Sequence, residues 1–139
     1  MWLYQGKEFD ESLIGDNVGF VYMIENIFTK RKYIGKKLFT STRTKKVKGK
    51  TRRRKVKKQS DWLDYYGSNK QLQEDVKKFG RTCFSREILH LCKTKSDASY
   101  LEAKEQFIRD VLFKEEYYNS WISVRVTKKH FIKSSLFNT

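Results

Sequence analysis

The chain has 139 residues and a mass of 16.7 kDa, with 31 Lys and Arg against 16 Asp and Glu and a formal net charge of +15. A hydrophobic share of 38% and an aromatic share of 15% exclude a disordered chain, which lacks apolar surface to bury. No apolar run approaches the ~18 residues of a membrane span, and the first residues lack the basic-then-apolar order of a secretory signal. The expectation is one basic cytoplasmic domain over residues 1–139, with no membrane partner.

In chain order, residues 1–17 carry no clear assignment. Val18 to Glu25 (VGFVYMIE) is a nearly unbroken apolar run that predicts a buried strand. Asn26 to Lys30 reads as a turn and Arg31 to Lys37 (RKYIGKK) as the second strand of a hairpin. A basic loop follows at about 43–58, and SDWLDYY at 60–66 suggests a helical turn. Ser68, with Gln71 three residues on, opens a helix whose Leu72, Val76 and Phe79 share a face and which Gly80 stops. Cys83 to Cys92 (CFSREILHLC) predicts a third strand. Ser96 or Ser99 starts a last helix to about Phe113, its apolar stripe formed by Tyr100, Leu101, Phe107, Ile108, Val111 and Leu112. Hairpin, helix, strand, helix implies an α+β fold, at its simplest a three-stranded, largely antiparallel sheet flanked by helices.

The charge is concentrated. Residues 43–58 read RTKKVKGKTRRRKVKK, with eleven basic residues and no acidic one, so this segment supplies +11 of the +15. Like charges this dense favour an extended or mobile segment. Its natural partner is nucleic acid, because each neutralised phosphate releases condensed counterions. An anionic membrane suits it poorly, since it has almost no large apolar residue to insert. Lys37, Arg52, Arg53, Arg54 and Lys55 are the candidate nucleic-acid contacts. Trp62, Tyr65 and Tyr66 beside it are placed equally well to stack on bases or to fill the core.

Cys83 and Cys92 would lie ~30 Å apart in one strand at ~3.3 Å per residue, which argues against a disulfide and for two buried thiols. A zinc site from Cys92, His90 and His130 lacks a second paired half. If the hairpin is symmetric about Ile27 and Phe28, Tyr22 and Tyr33 face each other with Cβ atoms ~4.5–5.5 Å apart, and Gly35 leaves room for a ligand or another backbone. Paired aromatics also stabilise a hairpin without any chemistry.

GFVYMIEN and KYIGKK, taken with NKQLQEDVKKFGRTCFSREIL, YLEAKEQFIRDVL and the YYN at 117–119, resemble the GIY-YIG nuclease family over roughly residues 18–122. The basic insert and DWLDYYGS resemble its seg-type, homing-endonuclease-like members from large tailed phages. Two departures stand out: the first motif reads GFVY, and no histidine follows the second tyrosine. The resemblance implies a small antiparallel sheet with helices. It also implies metal-dependent hydrolysis of double-stranded DNA to 5′-phosphate and 3′-hydroxyl ends.

By that resemblance Tyr22 takes the proton of the attacking water and Tyr33 positions the water or a phosphate oxygen. A free phenol has a pKa of ~10, so Tyr22 needs positive charge nearby, from a metal ion, Lys36 or Lys37. An arginine offsets the charge growing on phosphate oxygens. Arg43 is the choice, with Arg52, Arg53 or Arg54 as substitutes. Glu102 holds the metal, Mg²⁺ or another divalent cation, and Glu105 is the alternative. Asn119 has a structural part, hydrogen-bonding backbone near the site. Monomer and DNA-induced dimer both remain open. The competing expectation is a basic nucleic-acid-binding protein without catalysis, its tyrosines serving only as sheet packing.

Overall fold

The structure, a computed structural model, describes residues 1–46, 53–124 and 128, with the backbone alone for 42–46 and 53–57. Among the described residues seven strands and two α-helices follow one another: β1 (Trp2–Tyr4), β2 (Lys7–Phe9), β3 (Gly19–Asn26), β4 (Lys32–Leu38), β5 (Thr40–Lys46), β6 (Arg53–Gln59), α1 (Lys70–Phe79), β7 (Phe84–Cys92) and α2 (Lys95–Ile108). The main sheet has the order β2-β1-β7-β3-β4, and β5 and β6 form a separate antiparallel ribbon.

The three expected strands are there as an antiparallel β7-β3-β4 unit, but the sheet has five strands. The two extra ones come from the unassigned N-terminus. Gln5 and Gly6 both have positive φ, 52° and 80°, the backbone of a two-residue hairpin turn between β1 and β2. β1 then adds to β7 in parallel.

Central β3 has neighbours on both sides and its side chains divide between two cores. Phe20, Tyr22 and Ile24 join Trp2, Phe39, Trp62 and Leu72 on one face. Val21 joins Ile34, Cys92, Ala98 and Val111 on the other. A strand buried on both faces has to read as an unbroken apolar run. The register shifts between Val21 and Tyr22, where His90 and Ile88 are the successive β7 partners and Leu89 is left over as a bulge. Both cysteines are free thiols; Cys83 packs against the first core and Cys92 lies in the second.

The β3–β4 hairpin closes two positions away from the symmetric expectation. Tyr22 pairs with Gly35, and Tyr33 pairs with Ile24. The cause is Asn26, whose buried carboxamide accepts from Phe28 N at 3.0 Å and Thr29 N at 3.2 Å, while Lys30 takes φ 66°. This turn uses one more residue on each side than a tight one. Tyr22 and Tyr33 still share a face, as diagonal neighbours.

α1 is capped one residue later than expected, by Asn69 Oδ1 accepting from Leu72 N at 3.0 Å, and Gly80 ends it. α2 starts at Thr94, whose Oγ1 accepts from Asp97 N at 3.0 Å, and stops at Ile108. Its expected stripe is largely outside: Tyr100, Phe107, Ile108 and Leu112 are exposed, whereas Ala98, Ala103, Gln106 and Val111 are buried. The basic segment, expected as a loop, is a paired ribbon over its described backbone, with Arg43 opposite Val56. Thr40, Thr42, Thr44 and Val56 supply the β-branched residues such a ribbon favours. Arg52 lies outside the described residues, as does His130 of the weighed zinc site. No helix among the described residues is long and apolar enough to cross a membrane.

Candidate active site

β4 is the last strand of the sheet, and its outward backbone groups need partners. They are satisfied at every second residue. Lys32 N donates to Glu116 O at 2.7 Å, and Tyr118 N donates to Lys32 O at 2.7 Å. At Ile34, Asn119 Oδ1 accepts from the backbone N at 3.0 Å while Asn119 Nδ2 donates to the carbonyl at 2.8 Å. Gln106 Nε2 donates to the same carbonyl at 3.0 Å. The Lys36 amide is close enough to Glu102 to counter the rise of its carboxyl pKa, and both residues line the same cleft. Glu102 therefore reaches the edge of the sheet from α2.

The phenols reach the same edge from the opposite face. Their ring centroids are 6.2 Å apart with planes at 43°. Gly35 lets them lie directly against the β4 backbone: a Cβ there would lie 2.5 Å from the Tyr22 hydroxyl and 3.0 Å from the Tyr33 ring. Tyr22 is 1% exposed, with Tyr65 set edge-on to it at 5.9 Å. Tyr33 is half-buried, and its hydroxyl hydrogen-bonds Ser68 Oγ at 3.2 Å. A cleft of about 340 Å³ opens at this edge, lined by Tyr33, Lys36, Ser68, Glu102, Gln106 and Trp121 among others.

The titrations follow from this packing. Burial pushes the Tyr22 phenol well above its ordinary value, and neighbouring Tyr65 and Tyr33 push it further. Burial raises Tyr33 as well, against the lowering effect of the Ser68 hydrogen bond. Burial raises the Glu102 carboxyl, opposed by the Lys36 ammonium and the Lys36 amide. Both phenols are neutral at pH 7 in the free protein.

The structure brings Tyr33, Lys36 and Glu102 to one cleft, with Tyr22 directly behind Gly35. Lys36 Nζ donates to Ser99 Oγ at 2.6 Å on the α2 side. Lys37 points the other way, pairing with Asp61 Oδ1 at 2.7 Å and covering the Tyr65 ring at 4.1 Å. Glu105 is held elsewhere: its Oε1 lies 2.8 Å from His90 Nε2, and its Oε2 accepts from Arg109 Nε at 3.0 Å. Arg43, Arg53, Arg54 and Lys55 lie on the ribbon backbone, whose base is joined where Ser60 N donates to Phe39 O at 2.9 Å.

Sequence reading missed Gln106, Ser68 and Trp121. Gln106 was visible in principle, one helical turn after Glu102 and so on the same face. Trp62 is a core residue and Tyr65 and Tyr66 pack against the core. Arg86 was also missed: its guanidinium donates to Leu63 O and Tyr65 O, both at 2.9 Å, and lies over the rings of Trp2 and Tyr66, tying the 61–66 segment to the sheet.

Comparison with known proteins identifies the family. The family described as "Putative endonuclease segE, GIY-YIG domain" matches residues 2–122. A protein of Enterobacteria phage T4 named "Putative endonuclease segE" is 34% identical over 101 residues, which cover 72% of this chain and 39% of that protein. The match thus spans about two fifths of the relative's length. No solved structure matches. The chain belongs to the GIY-YIG nuclease family, a family of phosphodiester hydrolases, in its SegE-type branch.

Proposed function

We propose that the chain is a metal-dependent endonuclease that hydrolyses double-stranded DNA to 5′-phosphate and 3′-hydroxyl ends. The observation that carries this reading is the meeting of Tyr33, Lys36 and Glu102 in one cleft at the edge of β4.

The cleft suits a hard divalent cation. Glu102 offers a carboxylate, and Gln106, 4% exposed, has an Oε1 with no hydrogen-bond partner. Among the described residues no three His, Cys, Asp or Glu side chains cluster, so one carboxylate and one amide oxygen would be the protein's share. Mg²⁺ accepts such a site because it keeps several waters and binds substrate phosphate. When bound it would supply positive charge opposite the phosphate and the leaving oxygen.

The remaining work falls to the chain. Tyr33 faces the cleft and contacts the attacking water or a phosphate oxygen. Tyr22 is the base that the family resemblance assigns; burial keeps it protonated until positive charge arrives with the substrate. Lys36 supplies an ammonium on the α2 side of the cleft, where it donates to Ser99, while Lys37, on the phenol side, pairs with Asp61 and covers the Tyr65 ring. Arg43, on the ribbon next to β4, offsets charge on the non-bridging oxygens. The basic ribbon supplies sequence-independent affinity.

A supercoiled plasmid incubated with Mg²⁺, with an EDTA control, tests the reading. The wild type should nick or linearise it only with the metal. Tyr22→Phe, Tyr33→Phe and Glu102→Gln should each lose ~10²-fold or more in rate while still binding. Variants that cut at the wild-type rate would overturn the site. A wild type that binds but never cuts would leave a non-catalytic DNA-binding protein.

A further inference from the structure

Of the three tryptophans, Trp2 and Trp62 are 1% and 0% exposed and fill the core, while Trp121 is 71% exposed. Its position is set by its neighbours. Asn119, two residues earlier, is clamped to Ile34 by two hydrogen bonds, and Asn69 Nδ2 donates to Tyr118 O at 2.9 Å. Ile122, the next residue, packs against the second core. The indole stands on the rim of the Tyr33–Glu102 cleft and also borders an adjoining cleft of about 620 Å³ shared with Ser68, Asn69, Lys70 and Tyr118. A large π-surface held by a fixed backbone, beside a cleft built for phosphate, is the equipment for stacking a nucleobase.

We infer that Trp121 is a base-stacking residue: it takes an unpaired nucleobase next to the scissile phosphate, so that the preferred substrate is DNA with a locally single-stranded or distorted strand. This rests on the nuclease reading for the position of the phosphate. A base inside a duplex shows only its edges in the grooves, so its face becomes available to an indole only when it leaves the stack. Lys70 on one side of Trp121 and Lys36 on the other are placed for the flanking phosphates.

The test is binding in EDTA at fixed ionic strength, so that no strand is cut. The probes are a short single strand, the matching duplex, the duplex with an unpaired bubble, and an abasic strand of equal charge. Trp121→Ala should weaken binding to the single strand and the bubble ~5- to 150-fold, the span of one lost base–aromatic stack. Trp121→Phe should recover most of it, and affinity for the duplex and the abasic strand should not change. The fluorescence difference between wild type and Trp121→Phe, which isolates Trp121, should be open to acrylamide in the free protein and quenched by the single strand. Equal affinity of wild type and Trp121→Ala for every probe would overturn the inference, as would an indole shielded from acrylamide in the free protein. A wild type that shows the stacking signature yet never cuts with Mg²⁺ would instead sink the nuclease reading and leave the stacking site standing.

Discussion

Gly35→Ala probes the hairpin at its tightest point. The added methyl would meet the Tyr22 hydroxyl at 2.5 Å, Tyr22 Cζ at 2.7 Å and Tyr33 Cε2 at 3.0 Å. Tyr22 has little room to withdraw: the Trp2 ring is 5.5 Å away, Phe20 5.9 Å and Tyr65 5.9 Å, centroid to centroid. Overpacking of this kind costs ~1–3 kcal/mol, and so boxed a ring places the cost at the upper end. Urea unfolding should show a lower midpoint with an unchanged slope. The Tyr22→Phe background supplies the control. It removes the 2.5 Å contact and keeps the 2.7 Å one, so the cost of Gly35→Ala should fall there without vanishing. Equal cost in both backgrounds, or full wild-type stability of Gly35→Ala, would refute the packing argument. Cleavage should drop with stability, because the displaced phenols are the proposed catalytic pair.

Two glutamates three residues apart should respond to pH in opposite senses. Glu102 has a raised folded-state pKa, so its ionised form opposes folding, and stability contributed here falls as pH rises from the unfolded value through the folded one. Glu102→Gln should then be at least as stable as wild type at pH 7 in chemical denaturation, yet inactive. At Glu105 burial raises the pKa, but hydrogen bonds from His90 and Arg109 override it and the net shift is downward. Its stabilisation is present above the unfolded value and is lost as pH falls through the folded one, so Glu105→Gln should be destabilised at pH 7 and converge with wild type in acid. Replacing Arg52, Arg53 and Arg54 together with Ala should reduce the salt dependence of duplex binding by up to ~3 in slope; an unchanged slope would mean that they do not touch phosphate.

The sequence was most legible where burial leaves a run of apolar residues, as in β3 and β7, and where caps and glycines punctuate, as around α1. It was least legible where burial uses other residues. α2 packs through Ala98, Ala103 and Gln106, which carry little hydrophobic signal, while Phe107 at 58% and Ile108 at 65% exposure imitate a buried stripe. Glu102, named from the sequence by resemblance, faces neither open solvent nor the core but the strand edge. Three-residue strands such as β1 and β2 are too short for alternation to register, and the positive φ at Gln5 is not a glycine signature. The hairpin register depended on an Asn26 side chain whose hydrogen bonds lengthen the turn, and strand spacing alone does not reveal that.

The convergence of acid and phenols follows from how this fold treats an exposed edge. Two successive outward steps of β4, at Lys32 and Ile34, are closed by the 116–118 backbone and by Asn119 with Gln106, and Glu102 lies against the next, at Lys36. A second copy pairing with β4 would have to displace these groups, so the arrangement also suppresses edge-to-edge association. Covering the last step with a carboxylate has a further effect. It draws a helix residue from the α2 face to the rim of the strand, where Tyr33 from the other face already stands. An amide at position 102 would cover the edge as well and carry no charge. The ionised acid, whose pKa burial raises, is thus a feature that edge closure alone does not require, and its presence there points to chemistry at the cleft.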